Sequence, residues 1–170
     1  MKRLLWIALL TCPMPLTAQT ADYSKDVASV DAIVAALYDV ISGDPGTPRN
    51  WDRFNYLFTN DARLIPTLKD KEGKVAYRTM TPADYVQMFS SRVATGFFER
   101  ELYRVTEEYG AIVHVFSTYE TKEKKDGPVT NRGINSIQLL KTSDRYYVMN
   151  IFWSAEGHGF ALPAKYLPRN

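Results

Sequence analysis

Apolar residues recur at three- and four-residue intervals at Val30, Ile33, Val34, Leu37 and Ile41, the stripe an amphipathic helix turns toward a core. Ser29 stands where an N-cap hydroxyl would accept from the first turn, so the spacing predicts a helix over about 30–41. Gly43, Pro45, Gly46 and Pro48 then interrupt it. A short second helix is predicted from Trp51 to Phe58, with Asn50 as its cap and Trp51, Phe54, Leu57 and Phe58 inward. Period-two alternation takes over at Ala62–Leu68 and Val75–Met80; the polar turn between them makes the pair a hairpin. Thr81-Pro82-Ala83-Asp84 is a helix start, with Thr81 as N-cap, Pro82 in the first turn and an acid three residues on. This third helix should run to about Arg92 and bury Tyr85, Met88 and Phe89. Beyond it only strands fit, at 97–109, 111–124, 129–142 and 145–153, and short turns between consecutive strands imply antiparallel pairing.

The order predicts an α+β fold in which three helices from the N-terminal half pack on one face of a strongly curved antiparallel sheet of about six strands. A sheet curved in this way leaves a conical cavity under the helices. Residues 19–28 read as a flexible lead-in, 29–156 as the domain and 157–170 as an irregular tail.

Composition narrows the picture. In 170 residues, 45% hydrophobic and 13% aromatic, there is enough apolar material for one domain with its own core. The opening MKRLLWIALLTCPMPLTAQT has Lys2 and Arg3, an apolar run Leu4–Leu10, and small Ala18 before Gln19, the layout of a secretory signal peptide cleaved near Ala18. Export to the periplasm or medium is therefore expected. A lipoprotein anchored through Cys12 is the weaker alternative, since Thr11 precedes it. The apolar run is too short for a stable membrane span. Losing the leader takes Lys+Arg from 21 to 19 against 19 Asp+Glu. A neutral mature chain lacks the field that nucleic-acid binding exploits. It also lacks cysteine, and two distant histidines with scattered carboxylates assemble no metal site. No cofactor is expected.

Three segments carry a resemblance: LYDVISGD (Leu37–Asp44), WDRFNYLFTNDARL (Trp51–Leu64) and RGINSIQLLKTSDRYYVMNIFW (Arg132–Trp153). In this order they resemble the nuclear-transport-factor-2-like (NTF2-like) superfamily, which includes ketosteroid isomerases and SnoaL-type cyclases. The resemblance spans nearly all of the mature chain and implies the cone-shaped α+β fold. It also implies where isomerase chemistry would sit. The general base of those enzymes, an Asp before a Pro at the end of the first strand, corresponds to Ile65 in Ala62-Arg63-Leu64-Ile65-Pro66, and Ile cannot take a proton. The acid of the oxyanion hole falls near Asn135 and its Tyr near Ala36; Tyr38, two positions on, reads as another helix face. That machinery is not expected here.

The remaining polar candidates have two readings each. Asn135 alternates with Ile137 along one strand; if it faces the cavity, its amide either orients a ligand or satisfies neighbouring backbone. Asn150, between Val148 and Phe152, is expected to share that face, unless the register slips by one. The expected ligand-binding set is therefore Asn135, Asn150, Ile65, Ile137, Val148 and Phe152. Arg63 could clamp an anion from the first strand or lie outside. His114, in Val113-His114-Val115-Phe116, reads as packed or interfacial. Tyr119 and Glu120 read as a solvated strand end. Arg63, Asp84 and His114 are the weak catalytic candidates.

The leading functional reading is an exported binding module for a small, mostly apolar molecule. The second is a cyclase, isomerase or dehydratase with a non-standard acid/base set. The third is a homodimeric scaffold joined through the outer sheet face, with a closed cavity.

Overall fold

The computed structural model describes residues 21–168. The signal peptide, its cleavage near Ala18 and the Cys12 reading lie outside the described residues. Among the described residues no helix is long and apolar enough to cross a membrane.

Three helices and six strands follow in the predicted order: α1 (Val30–Ile41), α2 (Trp51–Tyr56), β1 (Phe58–Lys69), β2 (Val75–Tyr77), α3 (Pro82–Thr95), β3 (Phe98–Tyr109), β4 (Ile112–Lys122), β5 (Asn131–Lys141) and β6 (Tyr146–Ala155). The local signals hold. Ser29 Oγ accepts from Ala32 N at 3.1 Å, Asn50 Oδ1 from Arg53 N at 2.9 Å, and Thr81 with Asp84 forms a full capping box. α2 stops two residues short of the prediction, because Phe58 has already joined the sheet and the Leu57 carbonyl accepts from Val148 N at 2.8 Å.

The strand order is β2-β1-β6-β5-β4-β3. Four of the five strand pairings are antiparallel as predicted, but β1 lies parallel to β6, so the sheet is mixed rather than antiparallel. The first long strand and the last are neighbours, and no pattern within either strand reports that partnership. Ile33, Val34, Leu37 and Ile41 of α1 are buried, together with Val113 and Val115 of β4 and Ile137 and Leu139 of β5. α1 lies over β3 and α3 over β1, leaving the cone between them.

The loop after α1 is pinned to the start of β3. Gly43 N donates to Phe97 O at 2.7 Å, and Phe97 N donates back to Gly43 O at 3.1 Å. Arg49 is buried beneath this loop; its guanidinium donates to the carbonyls of Ile41 at 2.8 Å, Gly43 at 2.7 Å, and Thr47. A side chain at Gly43 would run into that guanidinium. Ser42, the C-cap of α1, completes the junction: its hydroxyl donates to Tyr38 O at 2.6 Å and accepts from Glu99 N at 2.9 Å. Helix end and strand start are thereby locked together.

Candidate functional site

That lock brings Glu99 into the cone. The period-two phase runs from buried Phe97, just before β3, to Glu99 within it. The cavity there has a volume of about 390 Å³, inside the roughly 300–1,000 Å³ usual for small-molecule sites. Its helical wall includes Leu37, Ile41, Phe54 and Phe89, and its sheet wall Leu64, Ile137, Ile151 and Trp153. The polar lining includes Glu99, Asn135, Tyr38, Tyr85 and Tyr119, with Arg92, Lys122, Glu123 and His158 also contributing.

These polar groups form one network with a fixed direction. Ser117 Oγ donates to Glu101 Oε1 at 2.5 Å, and Glu101 is ion-paired to Arg104 at 2.7 Å. Ser117 has only one proton, so its 2.7 Å contact with Tyr38 must be donated by the Tyr38 hydroxyl. The oxygen of Tyr38 then accepts from Asn135 Nδ2 at 3.1 Å. The second Nδ2 proton reaches Glu99 Oε1 at 3.3 Å. Asn135 is thus oriented by its neighbours: its nitrogen is used twice, and its Oδ1 has no hydrogen-bond partner among the described residues.

Burial pushes the Glu99 carboxyl up from 4.5 to about 7, opposed by the Asn135 hydrogen bond and by the positive charge of Arg92. The hydroxyls of Tyr38, Tyr85 and Tyr119 are pushed above their usual range, first by burial and then by the nearby Glu99 charge. No cation lies within ion-pair distance of Glu99 among the described residues. Since a raised acid pKa favours the protonated fold, stability should fall as pH climbs from about 4.5 through 7 and level off above. A rise from 4.5 to about 7 corresponds to about 3 kcal/mol, and the partial accessibility of Glu99 brings this to about 2 kcal/mol. Glu99→Gln should therefore be about 2 kcal/mol more stable than wild type at pH 8 and equal to it at pH 4.5; urea titrations at the two pH values would show it. A constant difference would mean that the carboxyl carries no such penalty.

The sequence-based site divides. Asn135 and Ile137 line the cavity, whereas Asn150, Ile65, Val148 and Phe152 do not. On β6 the phase is shifted by a bulge: Gln138 faces Asn150 and Leu139 faces Val148, leaving Met149 extra. Val148 is therefore buried in the core, Ile151 and Trp153 line the cavity, and Phe152 stands 45% exposed. On β1 it is Leu64, not Ile65, that reaches the cavity.

All three weak catalytic candidates lie away from the cone. Exposed Arg63 donates to the carbonyls of Asp61 and Ala62 at 2.6 and 2.8 Å. Asp84 is occupied by the capping box, where the Thr81 N–H and then its hydroxyl hold the carboxyl below the usual range. His114 is on the opposite face of β4, with Nε2 3.0 Å from Ser136 Oγ. Two further readings change. Tyr119 is buried and lines the cavity, and Glu120 is buried and paired with Arg100 at 2.7 Å. Tyr38 faces the cone because α1 is covered over a wide arc, with Ala36, Leu37, Tyr38 and Val40 all buried.

Glu99 was not legible as a site residue in Phe98-Glu99-Arg100-Glu101, which has the alternating charges of a solvated strand. The available signal was the phase set by Phe97, which places every second residue on the covered side. Among the described residues no group of three or more His, Cys, Asp or Glu is arranged to hold a metal ion.

The fold is that of NTF2-like, or cystatin-like, proteins. A protein of unknown function with a cystatin-like fold from Nostoc punctiforme matches at a TM-score of 0.56 and 12% identity, over 74% of this chain and 87% of its own. An NTF2-like protein of unknown function from Silicibacter pomeroyi matches at 0.50 and 13%, over 75% and 93%. A protein assigned as the β subunit of an aromatic-ring-hydroxylating dioxygenase, from Novosphingobium aromaticivorans, matches at 0.55 and 15%, over 74% and 86%. No protein-family model matches the chain, and no curated protein matches it in sequence. Likeness at this level of identity establishes architecture and leaves activity to the site itself.

Proposed function

We propose that the domain is a small-molecule binding module whose cone takes up a compact, mostly apolar ligand, with the ligand's polar end at Glu99 and Asn135. The observation that carries this reading is a cavity of about 390 Å³ in which apolar side chains from both helices and sheet stand beside convergent polar groups. The network from Glu101 to Asn135 supports it, because it spends hydrogen bonds on holding an amide in one orientation at the cavity wall. Native mass spectrometry of the mature protein should show a bound small molecule, or thermal shifts should appear against a panel of compact apolar compounds. A bare protein that no member of the panel stabilises would remove the reading.

The carboxyl of Glu99 favours a second reading. A group titrating at about 7 is suited to general acid–base catalysis near neutral pH, so a cyclase, isomerase or dehydratase would use Glu99 as its proton carrier. Under this reading Glu99→Gln abolishes turnover while leaving ligand affinity in place; turnover surviving in that variant would exclude it.

Export is proposed from the leader, and a homodimer from the outer sheet face, where Phe152 and Met149 stand exposed. Sedimentation showing a monomer at micromolar concentration would count against the dimer.

A further inference from the structure

At Glu99 and Asn135 the hydrogen-bonding capacity left over is that of acceptors. Glu99 Oε1 receives one proton from Asn135, and its second oxygen has no hydrogen-bond partner among the described residues. Asn135 Oδ1 is in the same position, and the hydrogen-bond direction fixed by Ser117 keeps the amide from turning over to offer its nitrogen. The Tyr38 proton is committed to Ser117. A ligand head that only accepts would leave these groups unsatisfied, whereas one that donates several hydrogen bonds satisfies them.

Charge points the same way. Glu99, the second residue of β3, lies against the C-cap of α1, its N–H bonded to Ser42, and the carbonyl end of a helix favours a cation and disfavours a carboxylate. Around it stand Tyr85, Phe89, Phe97, Tyr119 and Trp153 as cavity lining, and aromatic rings attract organic cations. Arg92 is the one charged group among those that act on Glu99, and its guanidinium lies 5.4 Å from the Phe97 ring centroid.

We propose that the ligand is a small organic amine, bound as its ammonium ion against the free oxygens of Glu99 and Asn135 with its apolar body along the aromatic wall. This rests on the binding-module reading and adds the chemical class of the ligand. Binding then couples to ionisation of Glu99. The groups bearing on that carboxyl are Tyr38 from α1, Tyr85 and Arg92 from α3, Tyr119 from β4 and Asn135 from β5. Lys122, Glu123 and His158 also line the cavity.

The test uses three probes with one ring and different heads, 2-phenylethylamine, 2-phenylethanol and phenylacetate, titrated calorimetrically into the mature protein. At pH 8 the amine should bind at least about tenfold more tightly than the alcohol, a charge-assisted against a neutral hydrogen bond, and phenylacetate should bind most weakly. Between pH 8 and pH 5.5 amine affinity should fall on the order of 30-fold, following the ionised fraction of a carboxyl that titrates near 7, while the alcohol changes little. Glu99→Gln should abolish the amine preference and the pH dependence, with urea unfolding at pH 4.5 equal to wild type as the sign of an intact fold. Equal affinity for amine and alcohol overturns the proposal and leaves the binding module standing. Preference for phenylacetate overturns it in favour of Arg92 as the anchor. Failure of all three probes overturns it too, and if the broader panel also leaves the protein unshifted, the binding-module reading goes with it.

Discussion

Phe54→Ala is expected to lower stability by about 4 kcal/mol, the cost of truncating a large buried aromatic. Phe54 is 1% exposed. Its ring centroid lies 4.7 Å from Phe58, 5.5 Å from Tyr85 in a stacked pair, and 5.7 Å from Trp51 edge-on. α2 has only six residues, too few to hold a helix by propensity, so its place depends on this packing. Phe54 also lines the cavity; its removal should merge new space with the cone. Urea unfolding gives the first readout, and a gain in affinity for probes bulkier than one ring gives the second. Phe54→Leu, which keeps most of the volume, should cost about 1 kcal/mol. A loss below about 1 kcal/mol for the alanine variant would show that the aromatic cluster repacks freely and does not set the cavity wall.

Gly133→Val is expected to cost about 3 kcal/mol or more and to abolish ligand binding. Gly133 pairs with Tyr119 across β5 and β4, and the absence of a side chain lets the tyrosine lie over it. A Cβ here would overlap the Ser154 carbonyl oxygen and come within 2.6 Å of the Tyr119 hydroxyl and 2.7 Å of its Cζ. The tyrosine could swing away, but only by giving up its place in the cavity. The Ser154 carbonyl belongs to the neighbouring strand and cannot yield without disturbing the ladder. The two obstacles separate experimentally: in a Tyr119→Ala background the penalty of Gly133→Val should shrink but remain above about 1 kcal/mol, because the backbone obstacle stays. Chemical denaturation of the four proteins of that cycle measures it. Full additivity would show that the tyrosine is no part of the conflict.

The elements written in neighbouring residues were legible in the sequence. Ser29, Asn50 and Thr81 with Asp84 announce helix starts because a cap is made within three residues of itself. The strands of the β3–β6 meander follow from alternation and short turns. What depended on distant partners was not legible. The parallel pairing of β1 with β6 joins segments almost ninety residues apart. Glu99 acquires its character from α1 and α3 closing over it, and in its own strand it is one charge among several. Helical phase puts Tyr38 on another face than Ala36, which separates buried from exposed only in a helix covered on one side. α1 is covered over more than that, so phase alone did not decide its burial. Asn135 was legible because β5 alternates without interruption from Gly133 to Leu139.

The extra residue at Met149 acts as a phase boundary within β6. Before it, even-numbered Val148 turns to the interior; after it, odd-numbered Ile151, Trp153 and Ala155 do. Chains that share this architecture but lack the bulge would match β6 here only with a gap inside the strand, where alignments seldom put one. Aligned straight through, Asn150 and Phe152 would be credited with positions in the cone that belong to Ile151 and Trp153, and the aromatic wall would be read as solvent.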